Sequence, residues 1–296
     1  MKEVQNHALF MFSCNELQFF PYICARIAIS GRSSIVFMQI TILQHDIEWC
    51  RVQQNLAHLD TLISTIPKTD LLLLPEMFAT GLNNAAIDIV DAQPQILEWM
   101  REKARALDAA VVGSIAMEDS GHCYNRLHFV RPDGEVTTYD KRHLFAYGGE
   151  AENYSAGNKR VIVTWRGVRF LLQVCYDLRY PVWARSHGDY DCILYSANFP
   201  ISRDTAWRTL IRARAIENQC YVAACNRIGT DQQCEYYGRS AIIHPYGETI
   251  VDCPDKTEWA ASAVIDIPFL RHYEAKFPVL EDADPFELRP TPNPSR

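Results

Sequence analysis

Apolar and polar positions change period repeatedly along the chain, which predicts strands interleaved with helices. The segment "MQITILQHDIEW", from Met38, alternates apolar and polar residues as a half-buried strand does. Apolar residues then recur at spacings of 4, 3 and 4, as on one face of a helix, at Val52, Leu56, Leu59 and Ile63. "DLLLLPE", residues 70–76, is a continuous apolar run typical of strands buried on both faces.

The same interleaving continues to about residue 275. The middle of the chain predicts a helix at about 92–107, a strand at about 109–117, and the strands "NRLHFV" and "EVTTYD" around the turn "RPDGE". Next come strands near 160–165 and 169–175, a short helix after Tyr180, the strand "CILYSA" and a helix at about 204–219. The pattern ends with strands near 220–227, 239–244, 248–253 and 259–266, and a helix near 268–275. Such interleaving predicts a layered α/β fold.

The pattern also predicts the domain organisation. Residues 38–283 contain no linker, low-complexity stretch or strong repeat, so we expect one domain there. The tail, residues 284–296, ends in "RPTPNPSR", and three prolines in eight residues predict an unfolded end. Residues 8–29 are the only candidate for a targeting or membrane segment, but polar residues interrupt them before the ~20 apolar residues that a bilayer requires. We therefore expect no membrane partner.

Composition narrows the possible partners and the compartment. The 296 residues are 48% hydrophobic, which provides ample core material for an α/β domain. The formal net charge is −7 and no basic run appears, so we expect no nucleic-acid partner. The ten cysteines include no C-x-x-C pair and no zinc-finger spacing, so no structural metal is predicted. Without a secretion signal, reduced cysteines and a cytoplasmic location are expected.

Three polar residues stand at the ends of predicted strands. Glu76 follows "LLLLP", where a carboxylate is costly to bury unless it is paired or functional; a helix cap or a salt bridge is the alternative. Lys141, in "TTYDKRHLF", would by itself be a surface lysine. Cys175 ends "FLLQV" and could be one more core thiol. The functional interpretation instead exposes its sulfur at a helix start beside a cation, which would lower the thiol pKa.

Together these three residues resemble the pattern of the nitrilase, or carbon-nitrogen hydrolase, superfamily. "LLLLPEMFATG", "YDKRHLF" and "CYDLRYPVWAR" are similar to its glutamate, lysine and cysteine motifs. The later segments "YDCILYSANFP", "ARAIENQCYVAACNRIG" and "GRSAIIHPYGE" also look like those of the family. The resemblance covers about residues 38–283. It implies an α-β-β-α four-layer sandwich of two mixed sheets with helices outside, commonly assembled as a homodimer through a helical face.

Family members usually begin where Met38 stands in this sequence. Residues 1–37 are therefore expected to be a dispensable extension or a misassigned start, either disordered or packed peripherally.

The resemblance also implies a mechanism. Glu76 would take the proton of Cys175, whose sulfur would attack an amide carbon and form a thioester while ammonia leaves. Lys141 and the backbone N–H of Tyr176 would stabilise the oxyanion. A small-molecule amide is the implied substrate, and no metal or organic cofactor is needed.

The sequence after the nucleophile resembles one branch of the superfamily. "CYDLRYP" and "HLFAYGGEAENYSAGN" are similar to omega-amidases, which hydrolyse the terminal amide of 2-oxo dicarboxylate monoamides such as 2-oxoglutaramate and 2-oxosuccinamate. Nitrile-cleaving members typically have Trp-Glu after the cysteine. Glu150 stands where the family's auxiliary glutamate is expected, although Glu152 is close enough to be the alternative.

An omega-amidase must also bind the carboxylate end of its substrate, for which a bidentate arginine is suited. Arg203, in "SANFPISRDTAW", follows a strand expected beside the nucleophile strand, and Asn198 and Phe199 would line the pocket wall. Alternatively, Arg203 is solvated or pairs with Asp204. Arg179 is the second candidate, although its position suggests that it faces a carboxylate of the protein.

The remaining candidates have simpler interpretations. Asp177 is expected to support the site or an interface, His143 to be structural, and Trp207, Leu210 and Ile211 to be helix core. Other functions stay open, namely hydrolysis of a simple amide, an N-carbamoyl compound or a nitrile, a noncatalytic scaffold, and redox sensing by Cys175.

Overall fold

The computed structural model describes residues 36–82 and 87–288. Its strands are β1 Phe37–Gln44, β2 Leu71–Leu73, β3 Ala110–Asp119, β4 His122–Val130, β5 Val136–Asp140, β6 Ile162–Trp165, β7 Val168–Val174, β8 Cys192–Ala197, β9 Tyr221–Asn226, β10 Ile228–Thr230, β11 Glu235–Tyr237, β12 Ala241–Ile243, β13 Thr249–Asp252 and β14 Trp259–Asp266. Its helices are α1 Val52–Ile63, α2 Ile87–Val90, α3 Gln93–Leu107, α4 Glu150–Asn153, α5 Pro181–Ala184, α6 Asp204–Glu217 and α7 Ile267–Lys276. Every strand and helix predicted from the sequence is present, whereas α2, α4, β10 and β11 were not predicted.

The strands form two six-stranded mixed sheets and one small hairpin. The first sheet has the order β14-β1-β2-β3-β4-β5, and the second has the order β13-β12-β9-β8-β7-β6. The pairs β1–β2 and β2–β3 are parallel in the first sheet, and β7–β8 and β8–β9 are parallel in the second. Parallel strands are normally covered on both faces, which agrees with their continuous apolar sequences.

The two sheets pack face to face with helices outside. Leu71 and Leu73 belong to the core between the sheets, whereas Leu72 and Leu74 pack with α1 and α3 on the outer face of the first sheet. Alternate residues of β2 thus enter two different cores. On the second sheet, α6 buries Trp207, Ile211 and Ala215 at spacings of four, which confirms the expected core role of this helix face. The predicted α-β-β-α sandwich is confirmed.

Contacts with the domain continue on both sides of residues 38–283. The first strand starts at Phe37, and the carbonyl of Val36 accepts a hydrogen bond from Ile267. Near the other end, Leu288 packs against the main core. The predictions for residues 1–35 and for "RPTPNPSR" lie outside the described residues. Across the described ranges, no helix is long and apolar enough to cross a membrane.

Candidate active site

Three charged side chains form a fully buried cluster where the two sheets meet. Glu76 follows β2, Lys141 follows β5, and Glu150 begins α4. The Lys141 ammonium donates to Glu76 Oε1 at 2.7 Å and to Glu150 Oε1 and Oε2 at 2.9 and 2.8 Å. None of these side chains is more than 1% exposed, so Lys141 is not the surface lysine that its isolated sequence suggests.

Burial and the neighbouring charges shift the pKa of Lys141 in opposite directions. Burial disfavours its ammonium form, but the carboxylates of Glu150 and Glu76 outweigh burial and raise the pKa of Lys141 well above its usual value. Lys141 therefore stays a cation in the folded protein. A buried cation beside a nucleophile is a suitable donor for an oxyanion.

The structure distinguishes between the two candidate auxiliary glutamates. Glu150 is fully buried and also accepts the backbone N–H of Phe145 at 2.6 Å, whereas Glu152 is exposed. The chain then returns past the lysine at Gly157, whose N–H donates to the Lys141 carbonyl at 2.9 Å. A Cβ at Gly157 would lie 2.1 Å from the Asp140 carbonyl oxygen, so only glycine permits this close approach.

Cys175 lies at a strained turn directly after β7. Its φ of +43° is in the left-handed region that residues with a side chain seldom adopt. Asp177 stabilises the turn, since its Oδ2 accepts the Val174 N–H at 3.1 Å. The same carboxylate accepts bonds from Tyr139 and His143, which stand two residues before and two after Lys141. Asp177 thus connects the turn at Cys175 to the segment around Lys141.

The environment of the sulfur contradicts one expectation from the sequence. Cys175 is 8% exposed, and the Glu76 carboxylate is near enough to its thiol to act on the thiol pKa. Burial, followed by the charge of Glu76, raises the pKa of Cys175 well above its usual value, against the opposing effect of Lys141 and the Asn198 N–H. The prediction of an exposed sulfur with a lowered pKa was therefore wrong. The buried thiol is held neutral beside a carboxylate that can accept its proton.

The predicted substrate-binding residues occupy different places around this centre. The Asn198 backbone N–H donates to Glu76 Oε2 at 3.0 Å, and the Asn198 side chain is buried without a partner among the described residues. Phe199 is 4% exposed, and its ring packs at a tilt of 37° against that of Trp207, with 5.4 Å between ring centroids. Its ring therefore faces the core beside α6.

Two arginines lie against aromatic rings next to the site. The Arg203 guanidinium is 4.6 Å from the ring centroid of Phe145, and Phe145 in turn contacts Tyr176 with 5.1 Å between centroids. Asp204, the alternative partner of Arg203, instead binds Arg239. Arg179 lies over Phe199 at 5.6 Å, and it forms no ion pair within the described ranges, contrary to the expectation that it faces a carboxylate.

One polar residue of the centre was missed in the sequence. Asn125, inside β4, donates through Nδ2 to Glu76 Oε1 at 2.7 Å and to Glu150 Oε1 at 2.9 Å. The signal available in the sequence was a polar residue at an inward position of the strand "HCYNRLHFV". Within the part of the chain that the structure describes, no group of three or more His, Cys, Asp or Glu side chains could hold a metal ion.

Comparisons with known proteins agree with this geometry. The carbon-nitrogen hydrolase family profile matches residues 39–275. The chain is 44% identical over 252 residues to the omega-amidase YafV of Escherichia coli (strain K12), covering 85% of this chain and 98% of that protein. It is 32% identical over 250 residues to the 2-oxoglutaramate amidase of Bacillus subtilis (strain 168), covering 82% and 96%.

A solved structure is similar as well. A CN-hydrolase superfamily protein from Xanthomonas campestris, with an arsenic adduct in its active site, is 39% identical with a TM-score of 0.83, over 86% of this chain and 100% of that one. The family profile, the relatives and the fold all agree, and this chain belongs to the carbon-nitrogen hydrolase family.

Proposed function

We propose that this protein hydrolyses the terminal amide of 2-oxo dicarboxylate monoamides, such as 2-oxoglutaramate and 2-oxosuccinamate, to the dicarboxylate and ammonia. The observation that carries the proposal is the buried carboxylate of Glu76, which accepts hydrogen bonds from the ammonium of Lys141 at 2.7 Å and from the Asn198 N–H at 3.0 Å beside the thiol of Cys175. The relatives named omega-amidase and 2-oxoglutaramate amidase support the substrate class.

The first half reaction forms a thioester. Glu76 accepts the thiol proton of Cys175 as the sulfur attacks the amide carbon, because the buried thiol is neutral in the free protein. The resulting oxyanion accepts hydrogen bonds from Lys141 and from the Tyr176 backbone N–H. Glu76 then returns the proton to the amide nitrogen, the C–N bond breaks, and ammonia leaves.

The second half reaction releases the acid. Glu76 takes a proton from a water molecule, whose oxygen attacks the thioester carbon, and the same two donors stabilise the second oxyanion. The C–S bond breaks, and the proton held by Glu76 returns to the sulfur. Glu150 keeps Lys141 charged and in place through its two short bonds to the ammonium.

We further propose that Arg203 binds the substrate carboxylate and that the segment of Asn198 and Phe199 forms the pocket wall. Arg203 is held over Phe145 beside the nucleophile turn and has no carboxylate partner among the described residues. The two amide atoms of Asn198 are buried and lack partners in the same part of the chain, so they are available to a polar substrate. Phe199 supports this wall through its backbone, because its N–H binds the Asn226 side chain at 2.7 Å.

The test is ammonia release from 2-oxoglutaramate, 2-oxosuccinamate, propionamide, an N-carbamoyl amino acid and a nitrile. We expect the two 2-oxo monoamides to give the highest kcat/KM. Cys175→Ala should abolish release while thermal unfolding stays close to that of the parent, and Cys234→Ala, at a half-buried cysteine directly before β11, should be fully active. Activity of Cys175→Ala above a few per cent would refute the nucleophile, and preference for another compound would change the substrate.

Assembly and location also remain proposals. Val182 on α5 and Ile216 on α6 are 56% and 51% exposed, which supports a homodimer formed through a helical face. Sedimentation velocity of the parent and of Val182→Asp would test it, and a monomeric parent would exclude it. The cysteines from Cys123 onward are free thiols, which supports the cytoplasm.

A further inference from the structure

Asn125 is a neutral side chain that bonds both carboxyl groups of the centre. Its Nδ2 and the Lys141 ammonium donate to the same two oxygens, Glu76 Oε1 and Glu150 Oε1, at 2.7 to 2.9 Å. Asn125 is fully buried, so water does not compete for these bonds. The two carboxylates are thus joined by one charged donor and one neutral donor.

Asn125 supplies a second link between the two carboxyl groups. The ammonium of Lys141 donates its three N–H bonds to Glu76 Oε1 and to both oxygens of Glu150. Without Asn125, Lys141 would be the side chain among the described residues that links Glu76 to Glu150. A primary amide donates to both oxygens without adding a group that titrates.

The placement of Asn125 leaves little alternative to this orientation. Its Oδ1 is buried without a partner in the described part of the chain, so the amide orientation is fixed by its Nδ2 bonds. Rotating the amide would put Oδ1 against two carboxylate oxygens. The backbone of Asn125 is also tied to the lysine, because its carbonyl accepts the Lys141 N–H at 2.9 Å.

We propose that Asn125 is a positioning residue that holds the carboxyl groups of Glu76 and Glu150 together at Lys141, so that Glu76 is placed to receive the Cys175 proton. This inference rests on the proposed function. It predicts that losing the shared donor changes the pH range of activity rather than substrate binding.

The test compares the parent with Asn125→Asp and Asn125→Ser. The aspartate adds a third acidic group, and the shorter serine hydroxyl can donate to only one carboxylate. Asn218→Asp is the matched control, because Asn218 is equally buried but binds Ser186 and Arg214 at the end of α6. Two quantities are measured against pH, namely kcat/KM for 2-oxoglutaramate and the rate at which iodoacetamide alkylates Cys175, followed by mass spectrometry.

For both Asn125 variants we expect the acid limb of each profile to move to higher pH by about one pH unit or more, with KM close to that of the parent. The control variant, Asn218→Asp, should keep the acid limb of both profiles at the parental pH. If kcat/KM falls equally at all pH values and the acid limb stays at the parental pH, the proposal is overturned and Asn125 has only a structural role. If Asn125→Asp does not fold, Asn125→Ser decides.

The alkylation profile needs no substrate, so it separates two failures. A parent that releases no ammonia from any amide would contradict the proposed function. An unmoved alkylation limb in the Asn125 variants would contradict only the role of Asn125.

Discussion

Glu150 and Glu152 are two residues apart and chemically identical, yet only Glu150 contacts Lys141. We expect Glu150→Gln to lower kcat for 2-oxoglutaramate by on the order of 100-fold or more, because the glutamine places an uncharged group against the ammonium that serves the oxyanion. Steady-state ammonia release provides the measurement, together with a melting curve to show that the variant folds.

Glu152→Gln is the matched control for this prediction. Its side chain is exposed at the same short helix, so kcat should remain within about twofold of the parent, as for most surface substitutions. Equal losses in both variants would mean that the helix as a whole, rather than the buried carboxylate, supports catalysis.

At the scale of elements, the proposed substrate-binding end of the site combines two loops from different sheets. Arg203 precedes α6 after a strand of the second sheet, and Phe145 follows the last strand of the first. Their contact brings the Arg203 guanidinium beside the turn at Cys175. If this cation binds the substrate carboxylate, Arg203→Leu should lower kcat/KM for 2-oxosuccinamate by a factor equivalent to about 2 to 3 kcal/mol of transition-state stabilisation. The same substitution should lower kcat/KM little for a neutral amide of similar length.

Arg208→Leu provides the control for the loss of one positive charge. Arg208 is exposed on α6 and lines a separate surface groove with Arg212 and Arg239. Its replacement should leave both substrates unaffected. A similar loss by Arg203→Leu on the charged and the neutral substrate would assign Arg203 to loop support, and the carboxylate would then be bound elsewhere.

At the scale of the whole molecule, folding buries two neutral histidines. Burial lowers the pKa of His128 and of His45 to about 4, below the ordinary value of 6.5. The unfolded chain therefore binds these protons first as the pH falls, and the folded state loses stability from about pH 6.5 down to about 4. Each histidine accounts for roughly 2 to 3 kcal/mol of this loss by pH 4.5.

In the parent, the free energy of unfolding should fall between pH 7 and pH 4.5. In His128→Gln this fall should be smaller by roughly 2 to 3 kcal/mol, whatever the stability of the variant at pH 7. Urea unfolding at several pH values provides the measurement. His272→Gln, at an exposed position of α7, should keep the parental pH dependence. If the free energy of unfolding falls equally with pH in the parent and in His128→Gln, other groups cause the acid sensitivity.

The sequence predicted most of the fold because its evidence is local. The segment "CILYSA" was predicted as a strand and is β8, and the spacing from Val52 to Ile63 predicted α1. Hydrophobic period depends only on which face of an element is buried, so it is visible without knowing the neighbours. The hairpin of β10 and β11 was missed because its strand sequences, "IGT" and "EYY", contain neither a continuous apolar run, as in β2 and β12, nor an apolar–polar alternation.

The chain by itself also determined which residue types stand at the strand ends, namely Glu76, Lys141 and Cys175. Only the tertiary structure decided how they meet: Asn125 is 49 residues from Glu76, and Asn198 is 122 residues from it. The burial of the cluster likewise reversed the expected direction of the Cys175 pKa. Contacts and solvation arise from how the two sheets pack, and no local pattern encodes the dielectric surroundings of a side chain or its distant hydrogen-bond partners.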